Sequence, residues 1–107
     1  MTRKEALAEL IAKVEAGEWD AWSVGRALSF NDGRRIEAKR GFEGSLDAAK
    51  ALHEAVLPGW LWGRQLNGQM WVAKRPYTFR VAPQNRNFAR AWLLAILRAL
   101  HAMEADT

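Results

Sequence analysis

Tryptophan and arginine recur between positions 60 and 81, and they are the residues of this chain best suited to binding chemistry. The Asn-Gly pair at 67–68 is the strongest short signal for a β-hairpin, because both residues of its usual two-residue turn need positive φ. With that turn, Arg64 pairs with Trp71, and a second tight turn further along the chain pairs Trp71 with Arg80. The sequence therefore predicts a row of Arg64, Trp71 and Arg80 across three antiparallel strands.

Trp62 shares a face with this row in the predicted register, because side chains alternate between the two faces of a strand. An arginine stacks on an indole, and the pair can also receive a nucleobase, a sugar or a partner's aromatic ring. The row would then be a stacking platform for nucleic acid or a hot spot for protein binding. The alternative is that a helix covers Trp62 and Trp71 while the arginines reach the rim, and the surplus of apolar helix surface favours it.

A second, weaker candidate is a basic cluster within residues 29–44. Glycine and mixed charge predict an irregular charged loop there, with a short strand around Ile36. Acidic residues leave positions 31–44 with a net charge of only +1, so a solvated loop is the simpler interpretation. The cations that resemble a phosphate-binding loop are Arg34, Arg35, Lys39 and Arg40.

Patterns for catalysis or metal binding are missing from the sequence. There is no cysteine, His53 has no carboxylate at helical contact spacing that would orient its ring, and His101 lies near a helix C-terminus, where a cation is mildly favoured. No glycine-rich phosphate loop and no nucleophile motif occurs. We therefore expect a protein that is not an enzyme, with no cofactor and no metal, in which His53 is a half-buried structural residue.

Charge is distributed unevenly along the chain, whose formal net charge is +4. Residues 1–54 carry nine basic and ten acidic side chains, whereas residues 55–103 carry seven basic and no acidic ones. The cations of the second part either form a basic face that attracts a polyanion or an acidic protein, or pair internally with acids of the first part. The sequence leaves both possibilities open.

Length and composition fit one globular domain covering residues 1–107, because 50% of the residues are hydrophobic and 26% are charged. The N-terminus is too charged for a signal peptide. The most apolar stretch, 88–100, contains arginines and is too short to span a bilayer. With no cysteine, these features predict a cytoplasmic protein without a membrane partner.

The elements that position these residues are helices around a small sheet. Large apolar groups on both faces of the predicted sheet require helices on both sides, so the predicted fold class is α+β, a three-layer α-β-α sandwich with a short antiparallel sheet of about three strands and an apolar C-terminal helix. Leu46 is expected in the buried stripe of its helix. Apolar spacing and capping residues predict helices at residues 3–16 after Thr2 and 46–57 after Ser45, a short helix or turn after Asp20, strands at 60–66, 69–74 and 77–81, and a last helix from Asn85 or Asn87 to Met103.

Two stretches of the chain carry a family resemblance: SLDAAKALHEAVLPGW at 45–60 and ARAWLLAILRAL at 89–100. They resemble small phage and prophage proteins of the phage ABA-sandwich type, in which a Leu-Pro-Gly-Trp helix end enters a hairpin and an Ala-Arg-Ala helix closes the chain. The resemblance covers residues 45–103, extends loosely to the N-terminal helix and leaves 19–43 unmatched. It implies a three-layer fold and a phage origin, and it carries over no activity and no functional residue.

Together these observations favour binding over catalysis. The first hypothesis is a non-enzymatic phage or prophage accessory protein that binds a host or phage macromolecule, with an anti-CRISPR-like inhibitor of a bacterial defence complex as its sharpest form. The expected partner is then a protein, met in the host cytoplasm. The alternative is a nucleic-acid-binding module that uses the basic and aromatic sheet face. An enzyme ranks last, and the oligomeric state stays open.

Overall fold

The computed structural model describes residues 2–28 and 32–104, which form an α+β fold with one antiparallel sheet of three strands. The expected α+β class with a short antiparallel sheet of three strands is confirmed, and the C-terminal helix is apolar as predicted. None of the described helices is long and apolar enough to cross a membrane. In chain order the elements are α1 (Arg3–Glu15), α2 (Ala21–Leu28), α3 (Asp32–Glu43), α4 (Leu46–Val56), β1 (Leu61–Arg64), β2 (Met70–Lys74), β3 (Tyr77–Val81) and α5 (Phe88–Met103).

Capping side chains begin four of these helices at the positions that the sequence predicts. The Thr2 hydroxyl oxygen accepts a hydrogen bond from the backbone N–H of Glu5 at 3.1 Å, and Ser45 caps α4 in the same way. Before α2, a carboxylate oxygen of Asp20 accepts the N–H two residues on. The side chain of Asn87 accepts the N–H three residues on and so sets the start of α5. Each of these bonds satisfies a donor that a helix N-terminus would otherwise leave unpaired.

The irregular loop and short strand predicted for 29–44 are wrong for the described part of that segment, because residues 32–43 form α3. Residues 29–31 lie outside the described residues. The helix is held by a narrow buried stripe of Ala38, Gly41 and Phe42, at helical spacing. Gly41 lies against α4, where a Cβ built on it would be in ordinary van der Waals contact with the Cβ of Ala49 at 3.6 Å. A contact made by alanine and glycine leaves little hydrophobic periodicity in the sequence.

The central element of the fold is α5. Ten of its sixteen residues are buried, and it contacts α1, α3 and α4 as well as β2 and β3. A helix that is apolar on nearly every side is stable in water only when neighbours cover it on nearly every side. The layers therefore run from the sheet to α5 and then to the other helices, whereas the sequence predicts the sheet in the middle.

The strands follow the order β1-β2-β3, and the predicted pairing of β2 with β3 is confirmed, with Trp71 opposite Arg80. The predicted pairing of β1 with β2 is wrong by one residue. The turn has three residues, because the N–H of Gln65 donates to the carbonyl of Gln69 at 2.9 Å and the N–H of Gly68 donates to the carbonyl of Gln65 at 2.8 Å. Gly68 alone takes positive φ, at 89°, as in hairpins whose turn ends in a bulge.

This register places Trp62 and Trp71 on opposite faces of the sheet, because Trp62 pairs with Val72 whereas Trp71 pairs with Gly63. The face with Trp62 and Val72 packs on α5. The other face is largely exposed, and Leu61 on it is 68% exposed. We call it the open face; it carries Leu61, Gly63, Trp71, Ala73, Thr78 and Arg80.

Candidate functional site

The four predicted binding residues divide between the two faces of the sheet. Trp71 and Arg80 are cross-strand neighbours on the open face, as the sequence predicts. Arg64 and Trp62 lie on the face towards α5, so the predicted row of Arg64, Trp71 and Arg80 is wrong. The cause is the extra turn residue, since a shift of one position moves every side chain of a strand to the other face. A binding role for these four residues stays a prediction.

Trp71 lies against the backbone of Gly63 rather than under a helix. A Cβ built on Gly63 would meet three atoms of the indole, Cζ2 at 2.6 Å, Cε2 at 2.8 Å and Nε1 at 2.9 Å. The ring can approach so closely only because its cross-strand partner is a glycine. The indole is thus half-buried against the sheet, beside the exposed Arg80. Gly63 was missed at the level of sequence, although a glycine inside a strand is a known signal of close approach.

Most cations of residues 55–103 have no acidic partner in the described chain. Only Arg98 forms an ion pair there, with Glu15 at 3.5 Å. Arg64 instead lies 4.8 Å from the ring centroid of Phe88. Internal pairing therefore neutralises little of the basic half within the described residues. Within residues 55–103, the exposed cations without an ion pair to a described residue are Arg64, Lys74, Arg75, Arg80 and Arg86.

Arg90 is the cation most engaged with the interior of the fold. Its guanidinium carbon lies 3.8 Å from the ring centroid of Phe42, and its Nε donates to the carbonyl of the same residue at 3.0 Å. The side-chain amide of Asn87 donates to that carbonyl as well, at 3.1 Å. These contacts join the end of α3 to the start of α5, so Arg90 contributes to structure.

Trp62 and Arg64 line a groove between α4 and β1 with a volume of about 340 Å³. The rings of Trp62 and Trp92 stack with centroids 4.3 Å apart at an interplanar angle of 31°, and Trp62 is still 43% exposed. Leu46, which was expected to be buried, is 46% exposed at the other wall. Leu46 is the first residue of α4 and faces the groove instead of the core. The α4–β1 groove is lined by Leu46, Trp62, Arg64, Met70, Phe88 and Trp92, with Asp47 and Lys50 also at it.

His53 is fully buried rather than half-buried, at 2% exposure. The indole N–H of Trp92 donates to its Nδ1 at 3.2 Å. Because an indole N–H can only donate, Nδ1 accepts and the ring hydrogen sits on Nε2, which donates to the carbonyl of Trp60 at 3.0 Å. Both ring nitrogens are therefore used inside the core, which leaves neither for a substrate.

The basic cluster of 29–44 lies on α3 rather than on a loop, so the predicted phosphate-loop geometry is wrong. Arg34 and Arg35 are half-buried, whereas Lys39 and Arg40 are exposed. Arg35 and Lys39 line a mainly apolar cavity of about 280 Å³ beside Trp19. Among the described residues, no cluster of three or more metal-ligating side chains occurs.

Comparison with known proteins adds no relative to this picture. No protein-family model matches the chain, and neither a curated protein nor a solved structure does.

Proposed function

We propose that this protein is a non-enzymatic binding protein whose partner is an acidic protein, and that it binds this partner through the open face of its sheet. One observation carries the proposal. Trp71 and Arg80 lie side by side on a face that the described helices leave exposed, and of the seven cations in residues 55–103 only Arg98 has an ion pair to a described residue. Tryptophan and arginine are the residues that contribute most often to binding hot spots.

Exposed apolar groups around this face support a protein partner over other polyanions. Leu61 on the face is 68% exposed, and Trp71 and Ala73 on the same face are half-buried. Lys74 and Arg75, at the turn between β2 and β3, add positive charge. An apolar centre with a basic rim is complementary to a protein surface that is apolar with acidic surroundings.

The resemblance of residues 45–60 and 89–100 to phage ABA-sandwich proteins supports a phage or prophage origin for this activity. In the most specific form of this proposal, the protein blocks a charged surface of a bacterial defence complex in the host cytoplasm. Blocking of this kind needs affinity and charge complementarity and no chemical step, which agrees with the engagement of His53 in the core.

The test is capture of partners from a phage-infected bacterial extract with the wild type and two charge-reversed variants. We expect Arg80→Glu to weaken capture of an acidic host or phage protein by about tenfold or more. Arg40→Glu makes the same charge change on α3 and should leave capture unchanged, because Arg40 is exposed on a helix whose main packing partners among the described elements are α2, α4 and α5 rather than the sheet. Equal losses in both variants, or none in either, would refute the assignment to the open face.

A second candidate function is binding of single-stranded nucleic acid, and the position of Trp71 favours it. One side of the indole lies on Gly63, which leaves the other side available to stack on a base beside Arg80. Titration with an oligothymidylate or a single-stranded RNA should then quench tryptophan fluorescence, with an affinity that falls steeply as salt rises. No quenching at low salt would remove this candidate.

A further inference from the structure

The free edge of β1 offers unpaired backbone groups next to the α4–β1 groove. β1 is an outer strand of the sheet, paired only with β2. Gln65 and Gln69 are a hydrogen-bonded pair, so the alternation of an antiparallel ladder makes Gly63 and Trp71 the next such pair. Trp62 and Arg64 consequently direct their N–H and C=O groups away from β2. No described residue hydrogen-bonds these groups.

The same two residues turn their side chains into the groove, whose wall opposite β1 is the start of α4. A strand added at this edge would lie about 4.8 Å from β1, and every second side chain would enter the groove. The groove, at about 340 Å³, has room for one large apolar side chain between Trp62 and Leu46. The edge of β1 can therefore recognise both the backbone and the side chains of an added strand.

Charge decides between a second copy of this chain and a different partner. Residues 55–103 carry no acid, so pairing β1 with β1 of another copy would bring two basic sheets together. At the groove, Arg64 has no ion pair to a described residue, whereas Lys50 pairs with Glu54 at 3.9 Å. An acidic segment of another protein complements this edge, whereas a second copy does not.

We infer that the edge of β1 binds an extended segment of an acidic protein as a fourth strand, with a large apolar side chain of that segment in the α4–β1 groove and a carboxylate beside Arg64. The inference rests on the proposed function in taking an acidic protein as the partner. It adds the form of the recognised segment, alternating apolar and acidic residues in extended conformation. Affinity comes from the ladder hydrogen bonds, and selectivity comes from the groove.

The first test is selection of a random displayed peptide library on the immobilised protein. We expect enriched peptides in which bulky apolar and acidic residues alternate. Their affinity, measured by tryptophan fluorescence, should fall about tenfold or more with Trp62→Thr and with Arg64→Glu. Trp22→Thr is the matched control, because Trp22 is 66% exposed on α2, which packs on α1 and α3, and it should change the affinity less than twofold. No enrichment, or equal losses in all three variants, would overturn the inference.

The second test is amide hydrogen exchange with an enriched peptide. Strand addition should slow exchange at Trp62 and Arg64 and leave Gly63, whose amide already faces β2, nearly unchanged. Arg64→Pro removes one outward donor at an edge that tolerates proline, and it should weaken binding more than Arg64→Ala. Binding that leaves the Trp62 and Arg64 amides in fast exchange contradicts strand addition. The selection needs no natural partner, so these failures are distinct from a failure to capture an acidic protein.

Discussion

Replacing Gly63 by alanine tests both the packing of the Trp71 ring on Gly63 and the register of β1 with β2. The added Cβ would lie 2.6 Å from Cζ2 of the indole, whereas carbon atoms in contact are normally about 3.5–4.0 Å apart. The rigid ring must therefore move out by about 1 Å. Overpacking of this kind destabilises the fold by about 1–3 kcal/mol, whereas replacing a flexible glycine in a strand stabilises it by about 0.5–1 kcal/mol. We expect a net destabilisation of about 1 kcal/mol.

The decisive measurement is a double-mutant cycle by urea denaturation, followed by far-UV circular dichroism. In a Trp71→Ala background the ring is gone, so Gly63→Ala should stabilise by about 0.5–1 kcal/mol. In a Trp62→Ala background, the control on the other face, it should still destabilise. If Gly63→Ala has the same sign with and without Trp71, the indole does not lie on Gly63 and the pairing of β1 with β2 has a different register.

Three further substitutions probe the described contacts. The hydrogen bond from Lys13 and, to a lesser extent, the one from the Ser23 hydroxyl lower the pKa of Asp20 from 3.8 to about 2. The ionised Asp20 side chain therefore stabilises the fold at pH values above its ordinary pKa, and this stabilisation is lost as the pH falls towards 2. Asp20→Asn should accordingly unfold at lower urea than the wild type at about pH 6 and converge with it near pH 2. Trp92→Phe leaves Nδ1 of His53 buried without a donor and should lower the free energy of unfolding in urea by about 2 kcal/mol or more. An unchanged midpoint would refute the role of this hydrogen bond. Asn87→Ala removes the cap of α5 and the hydrogen bond to the Phe42 carbonyl, and it should lower the free energy of unfolding by about 1–2 kcal/mol. Asn87→Asp keeps the cap but cannot donate to that carbonyl, so it should recover only part of this stability.

Local signals in the sequence were sufficient for the starts of four helices and for one of the two strand pairings. Thr2, Ser45 and Asn87 cap their helices as predicted, because an N-cap depends on a side chain and a backbone N–H only two or three residues away. The tight turn after Lys74 likewise determines that Trp71 pairs with Arg80. Interactions of this range can be read from short stretches of sequence.

The errors arose where one local signal allows two structures or where the stabilising contact is distant. The Asn67-Gly68 pair suits a two-residue turn with two positive φ angles, yet only Gly68 adopts one, and the side chain of Asn67 accepts the N–H of Gln69 instead. That choice adds one turn residue and separates Trp62 from Trp71. Neither residue type nor spacing distinguishes the two turns.

Distance along the chain explains the other failures. Residues 32–43 form a helix because Ala38, Gly41 and Phe42 pack on elements that follow them, and the Phe42 carbonyl accepts hydrogen bonds from residues 45 and 48 positions later. The α4–β1 groove likewise combines residues of α4, β1 and α5. No short stretch of the sequence contains all the residues of such a groove, so the lining residues other than Trp62 and Arg64 were not predicted.

The central position of α5 has a consequence for synthesis of the protein on the ribosome. α5 follows in the chain every element that packs on it, so the apolar faces of α1, α3 and α4 have no partner until α5 has been translated. Nascent chains that lack this helix should be prone to aggregation and should depend on chaperones. Folding then requires closure over long stretches of chain, which predicts slower folding than the high helix content alone would suggest.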